Sequence, residues 1–474
     1  MQPSSVSPAS FAQEFAAVAL GDRRREQRLL RIVEQCRAAP DSSFPEIAPT
    51  TADLTALYRF IASSAVTPGA ILEPHSQQTA VRCAEARKVL VVHDTTECEF
   101  AGESRRNLGP LRGDEQGFLA HVALAIAADG SRLPLGILGV HMWQRSELGR
   151  GRKSDGTRKS GGDYHKLPDK ESARWFDLID RTEGRLNGVE AIHVGDRETD
   201  KFHLLRDALD RNLRFVFRMA HDRRLLDEND DFLAPTSEAL MSCDDVFEIE
   251  VPLSRRRTKS APRTTESARD ARIAKLAVRG FPNALVARPH YDRTSPPSLD
   301  VNLVYVHELD PPADVEPVSW VLMTTELVAT PRQLRDVIEI YRARWIIEEL
   351  FKALKTGCAF EKRQLESYET LTNALGIFLP IAWHLLLLRH HARATPQLPA
   401  EIVLSPTQLD VLRARIPNVL PARPTAADAL RAVAYLGGHF IKRPPGWLVL
   451  GRGLEKLLLL EAGWRLAKGI DPDL

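Results

Sequence analysis

Three acidic residues sit where they could do chemistry. Asp94 closes the β-rich run KVLVVHD, and Asp196 closes a second one, VEAIHVGD. Glu348 lies in YRARWIIEELFKALK, residues 341–355. Two aspartates at strand ends and one helical carboxylate, folded together, can cage two divalent cations. In phosphoryl transfer one such cation activates the attacking oxygen and the other stabilises the leaving oxygen. Mg²⁺ prefers oxygen ligands and keeps several waters, so a few carboxylates suffice. Either aspartate alone reads as a strand-end turn residue. The combination with the helix points to chemistry.

On a helix at about 100° per residue, with Tyr341 at zero, Arg344 falls near 300°, Glu348 near 340° and Lys355 near 320°. The four form one polar stripe. Ile340, Ile347, Leu350, Phe351 and Leu354 fill an adjoining apolar face. Glu349 projects roughly 100° from Glu348, so Glu348 is the acid on the stripe. Thr330 and Pro331 suit the cap and first position of this helix, and Gly357 suits its stop. Two readings stay open. The stripe is a solvated row of salt bridges, or it is a metal-binding carboxylate among cations that grip phosphates.

The elements that must carry these residues follow in order. Residues 1 to about 65 read as helical. They include FAQEFAAVAL and the arginine-dense LGDRRREQRLL, in which Arg23, Arg24, Arg25 and Arg28 make a positive cluster. KVLVVHD is a buried strand. FLAHVALAIAADGSRLPLGILGVHMW reads as a hairpin turning near Asp129-Gly130. A helix over 170–186, the strand ending at Asp196, a helix over 199–211 and the strand LRFVFRMA give the alternation of an α/β sheet. From about 222 to 328 short strand-like runs follow without long helices, a mostly β insertion. After 330 the chain is helical. Two basic loops, 145–166 and 254–263, are further candidate phosphate contacts.

Composition is that of a soluble globular protein: 474 residues, 43% hydrophobic, 27% charged, formal net charge +1. Nucleic-acid binding must therefore come from local patches. Five scattered cysteines without a CxxC pair imply a reducing compartment and no structural zinc site. ALGIFLPIAWHLLLL, residues 374–388, is too short to span a bilayer and reads as a buried helix. No signal peptide is evident, and the expected location is cytoplasmic, with no membrane partner.

The spacing Y-x2-R-x3-E-x6-K of Tyr341, Arg344, Glu348 and Lys355 resembles the signature of bacterial DDE transposases of the insertion-sequence-four family. Other motifs fall in the family's order. They are LGDRRREQRL and ALYRFI near the N-terminus, VVHDTT, VGDRETD, PVSWVLMTT before the signature helix, and LGGHFIKRPPGW near the C-terminus.

The resemblance implies an α/β fold. A ribonuclease-H-like catalytic core (67–370, with the β insertion at about 222–328) is flanked by an N-terminal helical DNA-end-binding domain (1–66) and a C-terminal helical dimerisation domain (371–474). It implies Asp94, Asp196 and Glu348 as catalytic ligands of two Mg²⁺ ions, with Mn²⁺ substituting. Tyr341, Arg344 and Lys355 would hold phosphates, and Trp320 would stack on a flipped base. Arg24, Arg25, Arg28, Tyr58, Arg59 and Arg218 would contact DNA. The partners it implies are double-stranded DNA (transposon ends and target) and a second copy of the chain in the DNA complex. The alternatives are a metal nuclease that cuts without joining and a DNA-binding regulator. The intact acidic triad argues against a dead enzyme, and the complete N-terminal segment against a truncated inhibitor.

Overall fold

A computed structural model of the chain describes residues 8–102, 105–111, 115–145, 173–253, 270–290, 292–313, 315–440 and 444–469. The chain forms two compact units. Of the described residues, the first unit holds 8–145, 173–190 and 345–469, and the second holds 191–344. The basic stretches 146–166 and 254–263 lie outside the described residues.

In the first unit a 3-10 turn, Pro8–Phe15, precedes α1 (Arg23–Ala38), α2 (Phe44–Ile47), α3 (Thr51–Ile61) and α4 (Pro68–Ala86). FAQEF is thus helical, as the end of this 3-10 helix, while AAVAL lies outside any helix. The break before α1 is set by Asp22, whose carboxylate caps Arg24 N–H at 2.8 Å. Then come β1 (Lys88–Glu99), β2 (Gly109–Pro110), β3 (Gln116–Ala127) and β4 (Pro134–Trp143), all antiparallel, with β3 between β1 and the β2 and β4 edge. The β3–β4 hairpin turns through Gly130 at φ +87°. α5 (Ala173–Arg185) covers β4 and β3.

The second unit opens with β5 (Glu190–Gly195, from Ala191 on), a 3-10 turn (Arg197–Thr199), α6 (Phe202–Asp210) and β6 (Arg214–Arg218). β5 and β6 are parallel, as the alternation required. β7 (Arg224–Leu226), β8 (Phe232–Pro235), the short α7 (Thr236–Met241), β9 (Phe247–Leu253), β10 (Arg272–Ala287), β11 (Ser298–Glu308) and β12 (Ser319–Thr324) follow. They continue the same sheet antiparallel, β12 pairing with β6. ARIAKLAVRG and NALVARPH prove to be one strand, β10, with a register shift between Phe281 and Ala284. α8 (Pro331–Ala343) closes the unit, capped by a Thr330–Gln333 box.

The first unit resumes with α9 (Trp345–Lys352), a π-turn (Ala353–Gly357), α10 (Tyr368–Ala394), α11 (Pro406–Arg415), α12 (Ala426–Leu436) and α13 (Trp447–Ala467). α10 is 27 residues long, apolar around its whole circumference and buried. Its length and composition would suffice to cross a membrane, but here α1, α4, β4, α12 and the π-turn cover it. Gly451 lets α13 press on the π-turn: a Cβ there would lie 2.6 Å from the Gly357 carbonyl oxygen.

A buried polar cluster ties the N-terminal turn to this core. Glu14 accepts from His75 Nδ1 at 2.6 Å and from Arg82 at 2.7 Å. His75 Nε2 accepts from the Ile137 amide at 3.0 Å, so the ring proton sits on Nδ1. Trp383 of α10 donates to the Pro134 carbonyl at 2.9 Å and lies under the Arg82 guanidinium. Burial keeps His75 neutral. Burial also works against the Glu14 charge, but its two partners, with Arg82 the cation, hold the carboxyl at about 2. That stabilisation is complete above the ordinary carboxyl value of 4.5 and is lost as the pH falls toward 2. Glu14→Ala removes the only carboxylate that lies, among the described residues, against the part-buried Arg82 guanidinium, and leaves His75 Nδ1 without its acceptor. It is expected to destabilise the protein by about 2–3 kcal/mol. Chemical denaturation at pH 7 checks this, and a loss under about 1 kcal/mol would refute the cluster's role.

Candidate active site and nucleic-acid interface

Asp94 lies in the middle of β1, paired opposite Val122 of β3. It does not end the strand, contrary to the sequence expectation. The reason is local: Thr95, Thr96 and Cys98 continue a strand-favouring run that β3 pairs to its end. Asp94 is half-buried, and its Oδ1 accepts from the Thr95 amide at 2.8 Å. α9 packs against β1 and carries Glu348 in its first turn, also half-buried. The first unit thus sets two of the three acid-bearing elements side by side.

The signature is not one uninterrupted helix. α8 stops at Ala343 and α9 starts at Trp345, with Arg344 between them at φ −50° and ψ −32°. At the other end the Cys358 amide bonds the Ala353 carbonyl, five residues back, at 2.8 Å. This π-turn adds a residue to the helical repeat, so Lys355 leaves the 100° register. Lys355 Nζ instead reaches β1, donating to the Glu97 carbonyl at 2.5 Å and pairing with Glu361 at 3.0 Å. Glu349 is engaged elsewhere, 2.9 Å from Lys352 Nζ and 3.1 Å from Arg389, which stacks on Trp447. Burial opposes its charge, but Lys352 and Arg389 hold the carboxyl below its usual range.

In the second unit Asp196 follows β5 directly and caps the next 3-10 turn, accepting from the Glu198 amide at 2.9 Å. Burial raises its carboxyl. The Glu198 charge adds to this, while the Glu198 amide, Arg344 and Arg218 oppose it. Arg218 ends β6 and also donates to the Ser319 carbonyl at 3.2 Å. On the adjacent β12, Trp320 meets Tyr341 with ring centroids 5.9 Å apart. Tyr341 is buried. One acid, two arginines and an aromatic pair are therefore gathered in this unit, built from β5, β6, β12 and α8.

The N-terminal arginines divide their work. Arg24 is exposed. Arg25 turns back to donate to the Leu20 carbonyl at 2.6 Å, and Arg28 lies 3.5 Å from Asp53, joining α1 to α3. Tyr58 is partly exposed, edge-on to Phe44, and Arg59 is exposed. A shallow depression on α3 is lined by Thr51, Ala52, Thr55, Ala56 and Arg59.

Two matches to known families fall on these elements. Residues 8–66 match the transposase DNA-binding family, and residues 170–381 match the transposase DDE domain. The chain carries the two domains of a DDE transposase. A DDE transposase domain is an enzyme domain that acts on DNA, and it is of the ribonuclease-H-like class. The DDE match includes Asp196 and Glu348 and begins beyond Asp94. DDE domains generally use divalent metal ions. Among the described residues no three His, Cys, Asp or Glu side chains form a ready metal site. The donor chemistry suits such an ion: all three acids are half-buried carboxylates offering oxygen donors, and Asp196 is one whose charge burial disfavours.

Sequence reasoning passed over Trp345. It opens α9 with 58% of its surface exposed, beneath the Lys352 ammonium at 5.5 Å. The available signal was a large aromatic directly after the signature arginine. Arg389 and Glu361 were missed too, because only folding brings them to α9 and the π-turn.

The native Asp196 carboxyl keeps its proton to higher pH than the unfolded chain, whose ordinary value is 3.8. Its burial therefore destabilises the metal-free fold increasingly as pH rises above 3.8, and not below. Asp196→Asn keeps the acceptor for the Glu198 amide and removes the charge. In chelator the variant should melt above wild type at pH 7, the gap closing toward pH 4. A lower melting temperature at pH 7 would exclude this account.

Proposed function

We propose that this chain is a cut-and-paste transposase of the insertion-sequence-four family, similar to the transposase of bacterial transposon five. It moves an insertion sequence within bacterial cytoplasmic DNA. The observation that carries the reading is the pair of transposase domains. The signature Tyr341, Arg344, Glu348 and Lys355 lies within the second of them.

In this reading residues 1–66 bind the transposon end, 67–370 catalyse and 371–474 dimerise. Asp94, Asp196 and Glu348 would hold two Mg²⁺ ions, or Mn²⁺ in their place, and the ions would supply charge neutralisation in phosphoryl transfer. The chain's own residues do the rest. Tyr341, Arg344 and Lys355 bind the phosphates of the extruded base, and Tyr341 packs against Trp320. Arg218 adds positive charge beside Asp196. Water nicks one strand, and the freed 3′-hydroxyl attacks the opposite strand to give a hairpin. A second water opens the hairpin, and the 3′ ends attack target DNA. Each step is the same in-line displacement. The hairpin bends the backbone sharply, and extruding a base relieves it. An indole takes the extruded base on its face whatever its sequence, a task for Trp320 and for exposed Trp345. Arg24, Arg25, Arg28, Tyr58 and Arg59 grip the end DNA. Exposed Leu459 and Leu466, seven residues apart on α13, are apolar surface that a second copy would cover.

The test uses a labelled duplex of the inverted repeat that flanks the gene, incubated with protein and Mg²⁺. Wild type is expected to give nicked and hairpin products. Glu348→Ala should bind the end and cut it roughly a thousandfold more slowly, the loss of several kcal/mol of transition-state stabilisation. Glu349→Ala, which removes a partner of Lys352 and Arg389, should still cut. Binding without cutting by wild type would favour a regulator. Nicks that never become joined products would favour a plain nuclease.

A further inference from the structure

We propose that Glu361 is a positioning residue for the phosphate-binding ammonium of Lys355. The inference rests on the reading of Lys355 given above and adds the group that aims it. Glu361 lies in a 3-10 turn, Phe360–Lys362, entered through Ala359 in the left-handed conformation at φ 46° and ψ 39°. Its Oε1 does two things at once. It accepts the Glu99 amide of β1 at 3.1 Å and lies 3.0 Å from Lys355 Nζ.

The Glu99 bond separates this pair from an ordinary surface ion pair. Two exposed side chains that merely meet gain little, because each must be ordered for the other. Here one partner is pinned to the backbone of β1, the strand that carries Asp94 five residues earlier. Lys355 is fixed to the same strand a second time, through the Glu97 carbonyl at 2.5 Å. The π-turn supplies the approach, since its extra residue takes Lys355 off the regular helical register toward β1.

An ammonium has three donors. Glu97 and Glu361 engage two in set directions, and the third direction is thereby set for a phosphate oxygen. A lysine stem has many rotamers, so a pre-aimed ammonium spares the reaction that ordering cost. The surroundings favour the charge: Glu99, Glu115 and Glu361 cluster there, and burial together with the charges of Glu115 and Glu361 raises the Glu99 carboxyl. Glu361 thus keeps Lys355 in register with the strand of Asp94 and does not itself touch DNA.

The test is a double-mutant cycle on single-turnover nicking of a duplex bearing the flanking inverted repeat. It uses wild type, Glu361→Ala, Lys355→Ala and the double variant, with end affinity measured in parallel. Glu361→Ala is expected to slow nicking about tenfold, with end affinity within about threefold of wild type. Glu361→Gln, which keeps an oxygen acceptor for both the Glu99 amide and the ammonium, should recover most of the rate. In the Lys355→Ala background Glu361→Ala should cause no further loss. Independent, multiplicative losses in the double variant would overturn the proposal, as would Glu361→Ala nicking at the wild-type rate while Lys355→Ala is slow. If Lys355→Ala itself nicks like wild type, the reading of Lys355 falls instead. If wild type does not nick, the transposase chemistry falls.

Discussion

Helix α10 imposes the constraint on which the first unit depends. A 27-residue helix that is apolar on every side has no face it can show to water. It must be surrounded. The N-terminal turn, α1, α3, α4, β4, α9, the π-turn and α12 all lie against it. The helices of the DNA-binding domain, the hairpin and the helix of Glu348 therefore share one core. Displacing any of them exposes leucine and phenylalanine side chains. Within that core two polar groupings are paired, as low dielectric favours. Glu14, His75 and Arg82 satisfy one another, and Asn373 on α10 donates to the carbonyls of Ile61 and Val66. These bonds hold the N-terminal helices to α10 by direction as well as by apolar contact.

Charge around the acids follows a division of labour. Glu349 is a salt-bridged brace, linked through Arg389 to Trp447 of α13. Glu348, one residue earlier, projects from another side of α9, which packs on β1. In the second unit Asp196 keeps a carboxyl raised by burial, with only partial relief from Arg344 and Arg218. Such an acid costs stability, and a group of that kind belongs to function more often than to folding. The aromatic pair of Trp320 and Tyr341 packs on the same unit's sheet, β12 against α8.

Much of this was legible in the sequence because it is encoded locally. The strand ending at Asp196 is a buried apolar run followed by turn chemistry. The cap of α8 is a Thr-Pro-x-Gln string. Period-3.6 patterning marks the helices after 330, and the hairpin announces itself through Asp129-Gly130. Where the local signal was ambiguous, the reading drifted. β1 runs past Asp94 because β3 offers pairing partners as far as Gly117, a non-local fact. ARIAKLAVRG and NALVARPH are one strand because β11 continues along both.

The sequence by itself determined the residue types, their spacing along the chain and hence the resemblance to DDE transposases. These depend on side-chain chemistry and on periodicities of a few residues. Only the tertiary structure decided what each charged side chain does. A fixed angular repeat sends Lys355 along the stripe of Tyr341 and Arg344, but a π-turn pressed by Gly451 of α13 sends it to β1. Glu349 becomes a brace only because Arg389, forty residues later, is brought against it. Arg25 and Arg28 look alike in sequence, yet one closes a turn at Leu20 and the other meets Asp53. Long-range packing sets such partnerships, and helical periodicity carries no information about it.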